Sequence, residues 1–356
     1  MKIDDGFLHS MQDAMKLLRT RGPKEATEAL QRALGGQAPL APSTNFTPCT
    51  PCTPSTPFKP QASTAQPAAP TPGAFSTHSY ANAAGHRTYK LYVPTKYNGQ
   101  PMPLVVMLHG CTQDADDFAA GTQMNALAER DGCIVAYPVQ PQQANASKCW
   151  NWFKPADQRR DSGEPSLIAG ITRDVMAKHA VDPARVYVAG LSAGGAMAAI
   201  MIRNYPDLYA AACVHSGLAA GSARDLQSAL AAMRRGKTLR VQVAESPKRP
   251  MIVFHGDADT TVHPSNAAEL LRPFGGQAVV FDQHADGDAA RAEPGKRTST
   301  VERVRSADGV DAESWLIHGA PHAWAGGSAR GSYTDANGPD ASAAMMRFFI
   351  DHPMHN

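Results

Sequence analysis

The sequence predicts an α/β domain: a mostly parallel central sheet with helices on both faces. Near-continuous apolar runs of strand length recur, "LVVMLHG", "CIVAYP", "RVYVAG", "AAACVHSG" and "MIVFHG", each closed by glycine or polar residues. That pattern marks strands buried on both faces. Between them lie helical stretches such as "NALAERDG", "PSLIAGITRDVMAKHA" and "AGGAMAAIMIRNYP". With 356 residues, 43% hydrophobic and 19% charged, the chain can bury one full core and carry a smaller appendage. In sheets of this kind ligands bind outside the C-terminal ends of the strands, so the chemistry is expected there.

Three segments follow one another. In residues 1–36, Phe7, Met11, Met15 and Leu18 recur at helical spacing, Gly22-Pro23 interrupts, and "KEATEALQRALGG" resumes. This amphipathic helical segment is read as docking or ordinary helix packing, ahead of self-association or surface binding. Residues 37–77 are rich in Pro, Thr, Ser and Ala, a composition that buries too little apolar surface to fold and reads as a disordered, extended linker. Cys49 and Cys52 form a C-x-x-C there, without a βαβ context or a second pair, and read as incidental thiols. Residues 78–356 form the α/β domain, in which "HRTYKLYVP" alternates like an edge strand and Cys133 and Cys213 fall in strand-like runs as core thiols.

The bulk numbers exclude several classes. A net charge of +2 with no basic block gives no footprint for nucleic acid. No apolar run approaches the about 18–20 residues of a membrane span. The start "MKIDDGFLHSMQDAMKLLRTRG" has acids where an export signal needs positive charge and then an apolar stretch, which reads as cytoplasmic.

"GLSAG", Gly190 to Gly194, matches G-x-S-x-G, with a strand leading in from Arg185 and a small-residue helix leading out. That context presents Ser192 as a nucleophile on a sharp turn above the sheet. A serine hydroxyl needs a base within reach and a third group to orient that base. "MIVFHGDADTTVHPSNA" offers Asp257 and Asp259 after a strand. Asp259 is favoured, because Asp257 beside the His255-Gly256 turn is better placed to bond local amides. The same loop has a rival reading as a metal site of His255, Asp257, Asp259 and His263, but no metalloprotease spacing supports it. "SWLIHGAPHAWAGG" supplies His322 as base, with His318 a packed or edge histidine and Trp324 expected to wall the pocket. Acyl transfer also needs donors for the oxyanion. The backbone N–H of Ala193, just after the nucleophile, is one, and "LVVMLHGCTQ" offers that of Cys111, with His109 supporting.

The segments "LHGCTQ", "YPVQ" followed by "CWNWF", "RVYVAGLSAGGAMA", "HGDADTTV" and "HAWAGG…SYTDANGPDA" together resemble the polyhydroxybutyrate depolymerase family of esterases, α/β-hydrolases related to feruloyl and acetylxylan esterases. The resemblance spans about residues 85–352. It implies a serine esterase with the triad Ser192, Asp259 and His322, an oxyanion hole from the amides of Cys111 and Ala193, and no metal or organic cofactor. It also implies a disulfide between Cys111 and Cys149, which would fix the oxyanion loop beside Trp150 and Trp152, whose ring faces line an acyl or polymer groove. Secreted polymer depolymerases of this kind carry an export signal and often a polymer-binding module, neither of which is legible here. The expected partner is an ester or polyester, foremost 3-hydroxybutyrate oligomers or polymer and short-chain esters, then feruloyl or acetyl-sugar esters. A serine peptidase and a catalytically silent polymer-binding protein are the competing readings.

This organisation predicts that deleting residues 1–74 leaves turnover of a soluble ester largely intact. A collapse in soluble expression would instead place the first segment in the core.

Overall fold

The structure, a computed structural model, describes residues 73–235, 247–275, 278–282 and 295–354. The helical segment expected over 1–36, residues 37–72 of the expected linker, and Cys49 and Cys52 lie outside the described residues. The sheet begins inside the segment read as linker: β1 runs from Ala74 to Asn82 and pairs with β2, Gly85–Val93. Its sequence "AFSTHSYAN" is half-exposed and mixed in polarity, so it carries little of the apolar signal of an inner strand.

The chain continues through β3 (Met102–Leu108), α1 (Ala115–Thr122), α2 (Met124–Asp131), β4 (Ile134–Pro138), α3 (Gly163–Lys178), β5 (Val181–Leu191) and α4 (Ala193–Asn204). Then come β6 (Ala211–His215), α5 (Leu226–Arg235), β7 (Met251–Gly256), α6 (Ser265–Leu271), β8 (Ala278–Asp282), β9 (Ser299–Arg305) and β10 (Asp311–Ile317). The short strands β11 (Trp324–Ala325) and β12 (Thr334–Asp335) and the helix α7 (Ala341–Asp351) complete it. Among the described residues one ten-stranded sheet has the order β1-β2-β4-β3-β5-β6-β7-β10-β9-β8. Its centre, from β4 through β3, β5, β6 and β7 to β10, is parallel. Antiparallel strands flank it on both sides.

Side-chain alternation divides the core into two layers. Leu104, Val106 and Leu108 of β3 pack with Ile168, Ile171 and Val175 of α3 and with the apolar length of α4. Val105 and Met107 face the other way, towards Phe118 of α1, Met124 of α2 and Phe348 and Phe349 of α7. A fully buried side chain of this kind is worth about 1.5–3 kcal/mol over an exposed one, so both helical layers are needed to hold the sheet. Phe349 stacks on Tyr187 of β5 at 4.5 Å, which docks α7.

The strand order places the site. From β3 the chain moves to β4 on one side, then returns to lay β5 on the other side of β3. Loops leaving β3 and β5 therefore diverge in opposite directions and open a crevice between the C-terminal ends of those strands. "HGC" leaves β3 there and Ser192 leaves β5 there.

Candidate active site

Ser192 links β5 to α4 with φ 58° and ψ −118°, a left-handed backbone that side chains rarely adopt. Its N–H donates to the carbonyl of His215 at 2.9 Å, and its carbonyl accepts from the Ala196 N–H at 2.9 Å. A Cβ at Gly190 would strike the backbone of Gly194, and one at Gly194 would strike the carbonyl oxygen of Leu108. Only glycine fits either place, because the bend presses α4 against β5 and β3.

Asp259 follows β7 and His322 follows β10, so both lie at the same edge of the sheet as Ser192. The Nδ1–H of His322 donates to Asp259 Oδ2 at 2.7 Å, and the amides of Thr261 and Val262 donate to Oδ1 at 2.9 and 2.8 Å. His255 Nε2 lies 3.4 Å from Oδ2. Burial raises the Asp259 carboxyl, yet the hydrogen bonds from His255 and His322 together with the amides outweigh it and hold the group well below the usual carboxylate range. With Nδ1 committed to Asp259, the Nε2 of His322 is the nitrogen left to accept a proton. Among the described residues the Ser192 hydroxyl is not hydrogen-bonded to His322, and such bonds are commonly long before substrate arrives. The loop carrying His322 is brought back across the strand ends by the Ala325 N–H, which donates to His215 Nε2 at 3.0 Å.

The β3 loop lies against the nucleophile: a Cβ on Gly110 would sit 3.7 Å from Ser192 Cβ. The Gly110 N–H donates to Gln113 Oε1 at 2.9 Å, and Gln113 Nε2 donates to Asp117 at 2.8 Å and to the Ser332 carbonyl at 3.0 Å. Cys111 is bridged to Cys149, as the resemblance implied. The next amide, Thr112 N–H, donates to Ser147 O at 2.7 Å. Neither the Cys111 nor the Ala193 N–H donates to another group among the described residues, and Ala193 opens α4, where a helix has free donors. His109 donates from Nδ1 to the Gly110 carbonyl at 2.7 Å and accepts the Gln140 N–H on Nε2 at 3.1 Å. Burial lowers its pKa to about 4, so it is a neutral support for the turn and not a second base.

Further residues were not legible beforehand. Glu164 is buried and accepts the Asn151 N–H at 2.7 Å and the Asn151 side-chain amide at 2.6 Å, with Gln140 and Arg87 also against it. Burial first, and then Asp157, raise its pKa. Gln140 also donates to the Cys149 carbonyl at 2.9 Å, so this knot fixes the loop that presents the disulfide. It joins Arg87, Gln140, Asn151 and Glu164 across long stretches of chain, and no local pattern announces it.

The expectations for the tryptophans need correction. Trp324 does not wall a pocket: it is 1% exposed, lies edge-on to Phe118 at 5.6 Å, stacks on His215 at 5.0 Å and donates to Ser342 Oγ. Strand β11 turns it into the core. Trp150 is 0% and Trp152 6% exposed, so both rings pack beneath the loops and present no face to an open groove. His255, Asp257, Asp259 and His263 face different partners. Among the described residues no such cluster converges, because His255 bonds the Val262 carbonyl and His263 bonds Ser265. Asp257 is turned away from His322, but not onto the amides of its own turn: it accepts the Gly319 N–H at 2.6 Å and lies 3.1 Å from His318, both on the loop after β10. Cys133 and Cys213 are buried and free, their thiols pushed up by burial.

His109 and His215 carry a pH consequence. Burial lowers both in the folded chain, to about 4 and about 3 from 6.5. As pH falls below 6.5 the unfolded chain takes up protons that the folded chain refuses, so stability that is complete above this value is lost towards the folded pKa values. Each histidine costs up to about 1.4 kcal/mol per pH unit. Urea unfolding followed by tryptophan fluorescence should show a fall of about 3–5 kcal/mol between about pH 6.5 and about pH 4.5. Ordinary carboxylates titrate below most of that window. A flat profile would mean that the two rings are not held neutral.

With this geometry, known proteins can be compared. Poly(3-hydroxyalkanoate) depolymerase C of Paucimonas lemoignei is 38% identical over 183 residues, 48% of this chain and 44% of that protein, so the chain spans less than half of that relative's length. Probable acetylxylan esterase A of Aspergillus clavatus is 29% identical over 237 residues, 62% of this chain and 75% of that protein. Feruloyl esterase B of Thermothelomyces thermophilus is 33% identical over 201 residues, 52% of this chain and 68% of that protein. Among solved structures, an acetyl xylan esterase from Aspergillus awamori superposes with a TM-score of 0.57 at 20% identity, covering 77% of this chain and 99% of that one, which shows the α/β-hydrolase fold. The family described as Esterase PHB depolymerase matches residues 87–300. Its match covers more than half of the chain and takes in the β3 loop, the serine bend and Asp259, and the chain belongs to this esterase family.

Proposed function

We propose that the chain is a serine carboxylic ester hydrolase that works through an acyl-enzyme. The observation that carries this reading is the buried Asp259 carboxylate bonded to His322 Nδ1, at the sheet edge where the strained bend presents Ser192. His322 Nε2 takes the Ser192 proton as Oγ attacks the ester carbonyl. The amides of Cys111 and Ala193 receive the developing oxyanion, and the histidine returns the proton to the leaving alcohol. Water, deprotonated by the same nitrogen, then attacks the acyl carbonyl and releases the acid and Ser192. Asp259 remains ionised throughout, holding the tautomer and balancing the imidazolium.

The favoured substrates are 3-hydroxybutyrate oligomers or polymer and other short-chain esters. This is supported by family membership and by the Paucimonas relative, whose name is that of a poly(3-hydroxyalkanoate) depolymerase. A second reading, feruloyl or acetylxylan ester hydrolysis, is supported by the relatives of those names, which the chain covers more fully. Hydrolysis of a hydroxybutyrate oligomer, an acetylated xylan and methyl ferulate, measured side by side, separates the two. Turnover of the oligomer ahead of the others upholds the first reading. Ser192→Ala is expected to reduce every activity, and labelling by a fluorophosphonate probe, to background in a folded protein; retained turnover would sink the mechanism.

The two carboxylates divide cleanly. Asp259→Asn should lower kcat on p-nitrophenyl butyrate by about 10³–10⁴, the cost of presenting the wrong imidazole tautomer. Asp257→Asn loses a surface contact to His318 and Gly319 and should stay within about fivefold of the parent. The reverse ranking would show that the acid is Asp257.

A further inference from the structure

We infer that His215 is the positioning residue that couples the nucleophile to the base, an inference that rests on the hydrolase reading above. It ends β6, the strand lying between β5, which delivers Ser192, and β7, which delivers Asp259. Its main chain and its side chain serve different partners. The carbonyl accepts the Ser192 N–H at 2.9 Å and so holds one side of the strained bend. The ring Nε2 accepts the Ala325 N–H at 3.0 Å, three residues beyond His322, and so holds the return of the loop that carries the base.

The chemistry of the slot explains why an imidazole stands there. The ring is completely buried, stacked between Phe254 at 5.6 Å and Trp324 at 5.0 Å. Because Nε2 accepts a hydrogen bond, the proton of the neutral ring resides on Nδ1, which donates to Ser216 Oγ at 3.2 Å. The slot therefore requires a flat apolar body with an acceptor at its far tip. A hydrocarbon side chain would leave the Ala325 N–H without a partner in the interior, and the loop would move to find one. Strand β11 pairs with β12 over two residues only, so the Ala325 N–H has no ladder partner to replace the His215 ring. Burial also keeps His215 uncharged, so it does not oppose the positive charge that His322 acquires during acylation.

A displacement of about 1 Å in a reacting group can cost about 100-fold in rate. His215→Leu should therefore lower kcat on p-nitrophenyl butyrate by about 100-fold with KM unchanged, and slow fluorophosphonate labelling in parallel. His215→Gln places an amide oxygen where Nε2 stood and should recover most of that loss. The inference is overturned if His215→Leu keeps the parental kcat, or if His215→Gln is damaged as severely as His215→Leu. Where the leucine variant does not fold, His215→Gln is compared with His215→Asn, whose shorter side chain cannot reach the Ala325 amide; equal rates overturn the inference and a faster glutamine variant supports it. A parent protein that neither turns over the ester nor takes the probe would refute the hydrolase reading instead, so the two failures are distinct.

Discussion

The bend at Ser192 is the constraint around which the site is assembled. A serine with φ 58° costs of order 1–3 kcal/mol and persists only where its surroundings leave no alternative. Here the alternatives are closed from three directions. The His215 carbonyl anchors the amide from β6, the first turn of α4 anchors the carbonyl, and the glycines at 190 and 194 let helix and strands approach until a single methyl group would collide. Two consequences follow from the one distortion. Ser192 is set at the C-terminal end of β5, and the Ala193 N–H follows it at the open end of α4, where a helix has free donors.

The carboxylate beside His322 is buried. Asp259 stays ionised because two backbone amides and the His322 imidazole donate to it, with His255 Nε2 3.4 Å away, and these outweigh the burial that would protonate it. The surrounding histidines His109 and His215 go the other way: burial without an anionic partner leaves them neutral and usable as acceptors of the Gln140 and Ala325 amides. The same residue type thus serves as structural acceptor at 109 and 215 and as the proposed proton carrier at 322, and the difference lies in whether Nδ1 meets a carbonyl or hydroxyl oxygen or a carboxylate.

Sequence carried the central strands and the serine bend because both are local. β3, β4, β6 and β7 are buried apolar runs, and the G-x-S-x-G pattern is contiguous, although only Gly190 is demanded by a near neighbour, Gly194, while Gly194 itself is demanded by Leu108 of β3. Asp259 and His322 were legible through their place after later strands, and the Cys111–Cys149 bridge only through resemblance. Interactions made by strand order left no trace. His215 matters because β6 lies between β5 and β7, and Glu164 matters because it meets Arg87 from 77 residues away. The tryptophans were misjudged for a related reason: an aromatic beside a catalytic loop suits a groove or a core equally, and only packing against Phe118 and His215 decides for Trp324. Helix α7 was overlooked although Met345, Met346, Phe348 and Phe349 are buried, its signal compressed into eleven residues near the end of the chain.

Rigidity is distributed unequally among the catalytic parts, and the distribution follows the chemistry. The loop offering the Cys111 amide is tied by the disulfide to Cys149, by Thr112 to Ser147, by Gly110 to Gln113, and at one remove by the Glu164 knot beneath Cys149. Left-handed backbones at Thr112 and Lys148, next to the two bridged cysteines, show how tightly those turns are held. His322, by contrast, is held through its Nδ1 bond to Asp259 and the return of its loop to His215. Oxyanion donors stabilise a charge best when they need not move to meet it, since any reorganisation is subtracted from the stabilisation they give. A proton transfer needs instead an imidazole whose tautomer is fixed, which the Asp259 carboxylate supplies at Nδ1. The two demands are met by separate means: backbone and disulfide ties fix residues 109–113, and a single buried carboxylate fixes the imidazole at 322.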